Sequence, residues 1–271
     1  MQPQQPLLCN VTLEGASHVE MTIIATVAES MLRDVIVEVL EGAGLAILRG
    51  PAGIGKSFAL DLITEDLEAA GATVVRVTVS PATGGSISSF TRAVLSQYRI
   101  ETGSTADGVE ALAELLRGYP FRDVGPRVVF IVDEAQELKP AILETIRSLW
   151  DRGDHARLGY LTEPAFGCVL VGNEMFMGKG GNLRVASFRP LMSRVTHNVQ
   201  LPRPDKKEIA ALAVALFKGQ ADLIRELEDL GAITGNLRSL AVAARQARQA
   251  AKGEAVTLPM LRRIISMMGG K

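Results

Sequence analysis

Three stretches of this 271-residue chain hold residues whose types and spacing suit chemistry on a phosphate chain. The run Gly50-Pro51-Ala52-Gly53-Ile54-Gly55-Lys56-Ser57 fits G-x-x-x-x-G-K-[ST], which residue frequencies alone produce in roughly one chain of this length in a hundred. Its glycines let the backbone curl so that amide N–H groups and a helix start surround phosphate oxygens. In that reading Lys56 reaches the β- and γ-phosphates, the Ser57 hydroxyl ligates Mg²⁺, and Phe58 follows at the nucleotide. The second stretch, Val128-Val129-Phe130-Ile131-Val132-Asp133-Glu134, is an apolar run ending in two acids. Asp133 is expected to hold Mg²⁺ through its water shell and Glu134 to polarise the attacking water, which fits hydrolysis better than nucleotide storage. A helix start led by two acids is the plainer alternative. The third stretch, Val169-Leu170-Val171-Gly172-Asn173, ends in an amide suited to a hydrogen bond with the γ-phosphate or that water; otherwise Asn173 is a turn residue. ATP and Mg²⁺ are the cofactors implied.

Holding these groups in place takes strands and helices in alternation. Ile23, Ile24, Val27, Met31, Val35 and Val39 recur at helical spacing over 18–40, and Gly42 and Gly44 stop the run. Apolar β-type runs at 44–49, 73–79, 127–132 and 167–171 lead in turn into helical patterns at 57–70, at 87–98 with 108–117, at 140–150 and at 183–194. A last run at 197–201 closes the series. Strands apolar throughout and alternating with helices predict an α/β fold, a parallel sheet covered on both faces. After Pro202 and Pro204 the β signal ends, and helices are expected over 206–217, 221–230, 238–251 and 258–268 between glycines. The resulting organisation is a polar tail over 1–17, a P-loop domain over 18–202 and a small helical domain over 203–271.

Composition narrows the class. A formal net charge of −1 argues against a protein that grips nucleic acid by bulk charge alone. The charge is uneven, however. Between Met175 and Lys207 the bases Lys179, Arg184, Arg189, Arg194, Arg203, Lys206 and Lys207 face only Asp205. From Gly235 onward Arg238, Arg245, Arg248, Lys252, Arg262, Arg263 and Lys271 face only Glu254, a pattern that a solvated helix face also produces. Cys9 and Cys168 lie outside any ligand spacing, and Cys168, in an apolar run, reads as core. His18, His155 and His197 form no metal spacing, and Trp150 and Met175-Phe176-Met177 read as core or subunit contact. No apolar stretch approaches the roughly 18 residues of a membrane span. The start Met1-Gln2-Pro3-Gln4-Gln5-Pro6 lacks the basic opening of a secretory signal, so a reducing cytoplasm is expected.

The order of P-loop, Asp133-Glu134, Asn173, a helix ending Ser193-Arg194-Val195 and a helical domain with Gly235-Asn236-Leu237-Arg238 resembles the AAA+ ATPases. The resemblance implies that Asn173 is sensor 1, that Arg194 is an arginine finger offered to a neighbouring subunit with Arg189 as its substitute, and that Arg238 is sensor 2 on a lid. More narrowly, Val169-Leu170-Val171-Gly172-Asn173, Gly180-Gly181-Asn182, Phe188, Ser193-Arg194 and the helical segment from Lys206 resemble the phage Mu B family of target-selecting transposition ATPases. That likeness runs from about His18 to the end. It implies an ATP-dependent homo-oligomer, a ring or helical filament, on double-stranded DNA. Such an assembly marks target DNA and delivers it to a transposase, with hydrolysis releasing it, in a bacterial cell.

One departure bears on DNA binding. Mu B carries an N-terminal helix-turn-helix domain, and here a short tail precedes His18. In the shorter transposon ATPases, loops after the second strand and the following helix line a channel and touch the DNA backbone. The matching stretches, 80–89 and 101–105, offer hydroxyls and amides but no Lys or Arg. Thr83, Ser86, Thr102 and Ser104 are therefore the candidate contacts, with Arg92 and Lys179 as nearby charge. Two other readings share the ATPase residues: a helicase or clamp loader acting with a replication protein, and a protein-remodelling or secretion ATPase that never touches DNA. The last usually offers an aromatic pore residue, and the 80–89 loop has none apart from the bordering Phe90.

Overall fold

A computed structural model describes residues 24–117, 128–152, 164–177 and 188–269. In chain order the elements are helix α1 (Val27–Gly42), strand β1 (Leu45–Arg49), α2 (Lys56–Ala69), β2 (Thr73–Thr78), α3 (Ile87–Leu95), α4 (Thr105–Arg117), β3 (Val128–Asp133) and α5 (Pro140–Arg152). They continue with β4 (Gly167–Gly172), α6 (Arg189–Met192), β5 (His197–Gln200), α7 (Lys206–Leu216), α8 (Ala221–Thr234), α9 (Leu237–Ala251) and α10 (Leu258–Met267). The chain divides into two compact units, one of Met31–Pro51 with Ser57–Leu201, the other of Met1–Ser30, Ala52–Lys56 and Pro202–Lys271.

The first unit is built on a five-stranded sheet in the order β2-β3-β4-β1-β5, with every pairing parallel. All six residues of β3 and all six of β4 are buried, as strands rich in Val, Ile and Leu demand. On one face Ile47, Val75, Phe130, Val132 and Leu170 pack with Phe90, Val94, Leu112, Leu116, Ile142 and Ile146. The intervening Ala46, Leu48, Val129, Ile131, Val169 and Val171 are as deeply buried, so the other face is covered too. Each such side chain contributes about 1.5–3 kcal/mol on leaving water, enough to settle the register. That register sets Thr78 beside Asp133 and Arg49 beside Gly172, which brings the carboxyl ends of the strands level. At the edge, β5 alternates in burial and carries His197, Asn198 and Gln200, side chains that discourage further pairing.

The second unit is helical. Ile209, Ala213, Phe217, Leu227, Leu240, Ala244, Ala247 and Leu261 from α7 to α10 form its core. A capping box opens α7: Glu208 N–H donates to Asp205 Oδ1 at 2.8 Å and Asp205 N–H to Glu208 Oε2 at 2.7 Å. Glu208 Oε1 also accepts from Val27 N–H at 2.5 Å, which ties down the start of α1.

Besides α4, which starts at Thr105 rather than 108, and α8, which runs to Thr234 rather than 230, three expected helices differ from those observed. The first begins at Val27 rather than 18, because the Thr26 hydroxyl accepts from Glu29 N–H and caps the helix there; 18–23 lie outside the described residues. The helix expected over 87–98 ends at Leu95, and a 3₁₀ turn, Ser96–Tyr98, closes with Arg99 in the left-handed region. That expected over 183–194 is a single turn, Arg189–Met192, so Arg194 lies beyond its end; 183–187 are outside the described residues, as are Lys179, Gly180-Gly181-Asn182 and the 1–17 tail.

Candidate active site

The link from β1 to α2 is the glycine-rich stretch 50–57. Gly53 and Gly55 take φ of 79° and 98°, a region that costs other residues on the order of 1–3 kcal/mol. Gly50 N–H donates to Gly172 O at 3.2 Å and so fastens the loop's first residue to the end of β4. Ala52–Lys56 group with the helical unit. There Arg238 N–H donates both to Gly53 O at 3.1 Å and to the Asn236 side-chain oxygen at 2.9 Å, the cap of α9. A Cβ on Gly53 would lie 2.0 Å from Asn236 Oδ1, so glycine is required on steric as well as conformational grounds. Lys56, only 8% exposed, opens α2, whose first turn carries no acid. Ser57 follows half-buried and Phe58 exposed. Curled amides, a helix N-terminus and a lysine are the donors a polyphosphate needs.

Asp133, at the end of β3, is completely buried. Its Oδ1 accepts from Glu134 N–H at 2.9 Å, whereas its Oδ2 has no hydrogen-bond partner. The Arg76 guanidinium stands 3.8 Å from Oδ2, close enough for an ion pair and too far for a hydrogen bond. A buried carboxylate oxygen left this way costs several kcal/mol, and a hydrated cation is the partner that would relieve it. Arg76 also donates to Ser57 O at 3.2 Å and pairs with Asp61, so it connects the two residues expected to hold Mg²⁺. Among the described residues no cluster of three or more His, Cys, Asp or Glu forms a ready-made cation site. The residues present fit an ion that takes most of its shell from phosphate and water, as Mg²⁺ does.

Glu134 occupies the left-handed region, φ 56° and ψ 39°, on the order of 1–3 kcal/mol of strain for a residue with a side chain. Its carbonyl accepts from Glu137 N–H at 3.0 Å, and its carboxylate accepts from Gln136 Nε2 at 2.5 Å. Gln136 Oε1 accepts from Asn173 N–H at 3.1 Å, and Asn173 Oδ1 accepts from Met175 N–H at 2.9 Å. The Asn173 side chain thus keeps its Nδ2 donors for another acceptor. Phe176 and Met177 are buried and Met175 is 55% exposed, so only Met175 is open to contact.

The other expected site residues make the following contacts. Arg194 Nε contacts Asp151 Oδ1 at 2.5 Å and its Nη1 donates to Pro190 O at 2.7 Å; Asp151 also pairs with Arg147. Arg189, exposed, opens α6. Arg238 is exposed on α9, where it lines a shallow hollow of about 400 Å³ with Ala241, Val242 and Arg245. Ser86 caps α3 and exchanges hydrogen bonds with Ser89, while Thr83 Oγ1 accepts from Ser80 N–H at 2.8 Å. Ser104 Oγ accepts from Asp107 N–H at 3.1 Å at the start of α4, and Thr102 and Arg92 are exposed. Gln136 and Arg76 escaped the sequence reading, although a lone arginine inside an apolar strand run was a usable signal.

Residues 39–172 match the model of a family described as an AAA domain. No curated protein matches the chain. Among solved structures it is similar to the Aeropyrum pernix ORC2 protein in ADPNP-ADP complexes, at 17% identity and a TM-score of 0.62 over 88% of this chain and 66% of that one. Cdc6p from Pyrobaculum aerophilum is similar at 18% identity and a TM-score of 0.64, over 88% and 65% of the two chains. A replication initiator DnaA bound to AMPPCP and single-stranded DNA is similar at 13% identity and a TM-score of 0.54, over 83% and 63%. The chain spans less than two thirds of the length of each, and the likeness is one of fold. Parallel five-stranded sheet, flanking helices, P-loop and C-terminal helices together make this the fold of an AAA+ P-loop protein.

Proposed function

We propose that the chain binds ATP with Mg²⁺ and hydrolyses it, and that this cycle controls a homo-oligomer on double-stranded DNA which presents target DNA to a transposase. The observation that carries the ATPase reading is the end of β3, where Asp133 keeps a buried oxygen that no hydrogen bond reaches, beside a Glu134 pinned in a strained backbone conformation. Ser57 and Asp133 would hold Mg²⁺, whose charge steadies the phosphoryl oxygens. Lys56 and the loop amides bind the phosphates, Asn173 Nδ2 donates to the terminal phosphate or the water, and Glu134 accepts a hydrogen bond from that water and draws off its proton. The fold's likeness to a DnaA bound to AMPPCP and single-stranded DNA supports pairing nucleotide with DNA. The transposition branch rests on the Mu B-like motifs at 169–173, 180–182 and 193–194. Among the described residues no helix is long and apolar enough to cross a membrane.

Two substitutions test the nucleotide control. Lys56→Ala removes charge needed to bind phosphate and should abolish tight ATP binding, whereas Glu134→Gln removes only the water-polarising carboxylate and should bind without turnover. With ATP and duplex DNA present, Glu134→Gln is expected to hold DNA longer than wild type and Lys56→Ala not to hold it. Equal DNA retention by the two variants would overturn the reading. Nucleotide-dependent filaments on duplex DNA in the electron microscope, and stimulation of a transposase's strand transfer, would set it apart from a helicase or clamp loader.

A further inference from the structure

The Gln136 side chain bridges two strand ends in the sheet unit. It lies in the 3₁₀ turn Ala135–Glu137 that follows β3, two residues beyond Glu134, and its amide reaches across to Asn173, the residue that follows β4. Which end of the amide faces which partner is dictated by chemistry. The Asn173 backbone N–H can only donate, so Oε1 must face it; the Glu134 carboxylate, when ionised, can only accept, so Nε2 must face it. A flipped amide would set donor against donor and acceptor against acceptor. We propose that Gln136 is a positioning residue for hydrolysis, holding one oxygen of the Glu134 carboxylate so that the other faces the attacking water, and tying that aim to the strand end that carries Asn173.

The rest of Glu134 is already constrained. Its N–H is held by Asp133 Oδ1, and its carbonyl by Glu137 N–H. The left-handed backbone sets the direction in which the side chain leaves the strand. What remains is rotation about the side-chain bonds, and the 2.5 Å contact from Gln136 to Oε2 restrains it, leaving Oε1 as the acceptor for water. Because the same amide is bonded to Asn173 N–H, a movement of the β4 end is transmitted to the carboxylate. Gln136 touches neither water nor phosphate in this scheme, and it acts only through Glu134.

The inference rests on the ATPase reading, and the experiment separates the two. Gln136→Glu keeps an oxygen to accept from Asn173 N–H but replaces the donor to Glu134 with a second carboxylate. Gln136→His keeps an N–H donor for Glu134. Single-turnover hydrolysis and the affinity for a fluorescent ATP analogue with Mg²⁺ are measured for both variants and wild type, with thermal unfolding as the check on folding. A misaimed base costs up to about 100-fold in rate. Gln136→Glu is therefore expected to lose about 10- to 100-fold in turnover while nucleotide affinity and melting temperature hold, and Gln136→His to recover much of the loss. A residue that merely joined the two strands would show the reverse: unimpaired turnover in Gln136→Glu, which retains the strand contact, and that result would overturn the proposal alone. A wild-type chain that binds nucleotide and never hydrolyses it would overturn the ATPase reading and the role of Gln136 with it.

Discussion

Burial governs the chemistry of Cys168 on β4, which is at 0% exposure. Cys168 packs within the apolar core, and burial pushes its thiol up to about 12. The native thiolate is then too scarce to react, since an unperturbed thiol ionises near about 8.5. In a Cys9→Ser background, Cys168 should resist a disulfide reagent at about pH 8 and react at once in denaturant; labelling of the folded protein at the unfolded rate would contradict the buried placement. Linkage gives the sign for stability. Below about pH 8.5 both states keep the proton and nothing changes. From there up to about 12 the unfolded chain loses it and the native chain does not, so stability falls with pH by at most about 1.4 kcal/mol per unit. Cys168→Ala should show a shallower alkaline loss than wild type in the same denaturation series.

At the level of elements, the connection from β2 to α3 shows how a loop with the composition of a ligand site can be a structural part. Its hydroxyls close on one another: Ser80 with Thr83, and Ser86 with Ser89 as the cap of α3. Its backbone lies against the turn that holds Glu134 and Gln136, with Lys139 N–H donating to Gly84 O at 3.1 Å. A Cβ at Gly84 would stand 2.3 Å from Glu137 O, a backbone atom that cannot step aside. Gly84→Ala should therefore destabilise by about 1–3 kcal/mol and lower the melting temperature by several degrees. Gly42→Ala, with nothing within 4 Å of its added Cβ, should not. Equal melting temperatures would show that the close approach is absent. The contrast also marks what the sequence made legible. Strands β1 to β5 were readable to within about a residue because a doubly covered parallel sheet needs uninterrupted apolar runs. The α1 start differs because Ile23 and Ile24 continue the helical period past the Thr26 cap, and the end expected at 194 because α6 stops at Met192. P-loop, Asp133, Glu134 and Asn173 announce themselves by local order. Gln136 and Arg76 act through neighbouring strands, and only the register that sets Thr78 beside Asp133 and the end of β4 beside β3 reveals them.

For the whole molecule, the proposed homo-oligomer raises the question whether one copy of the chain acts on another, and Arg194 is where it can be decided. In the single chain its guanidinium is about one third exposed and pairs with Asp151, which Arg147 shares. An ion pair this open contributes at most about 1 kcal/mol, so an incoming phosphate could draw Arg194 away at little cost. An arginine finger acting in trans is worth ~10³ to 10⁵ in rate, about 4–7 kcal/mol in the transition state, and so outweighs the pair it gives up. Arg194→Ala should then bind ATP and barely hydrolyse it, while loss of a purely local pair would leave turnover nearly intact. Asp151→Asn, which releases the arginine without removing it, should keep or raise turnover. Mixing separates action within one chain from action on a neighbour. Lys56→Ala subunits have an impaired nucleotide loop and an intact finger, whereas Arg194→Ala subunits have an intact loop and no finger. Each protein is expected to be inactive alone, and a mixture should regain ATPase activity at the hybrid interfaces, with a maximum at intermediate ratios. If the two co-assemble on DNA and stay inactive at every ratio, Arg194 does not act in trans, and Arg189 at the start of α6 is the next residue to exchange.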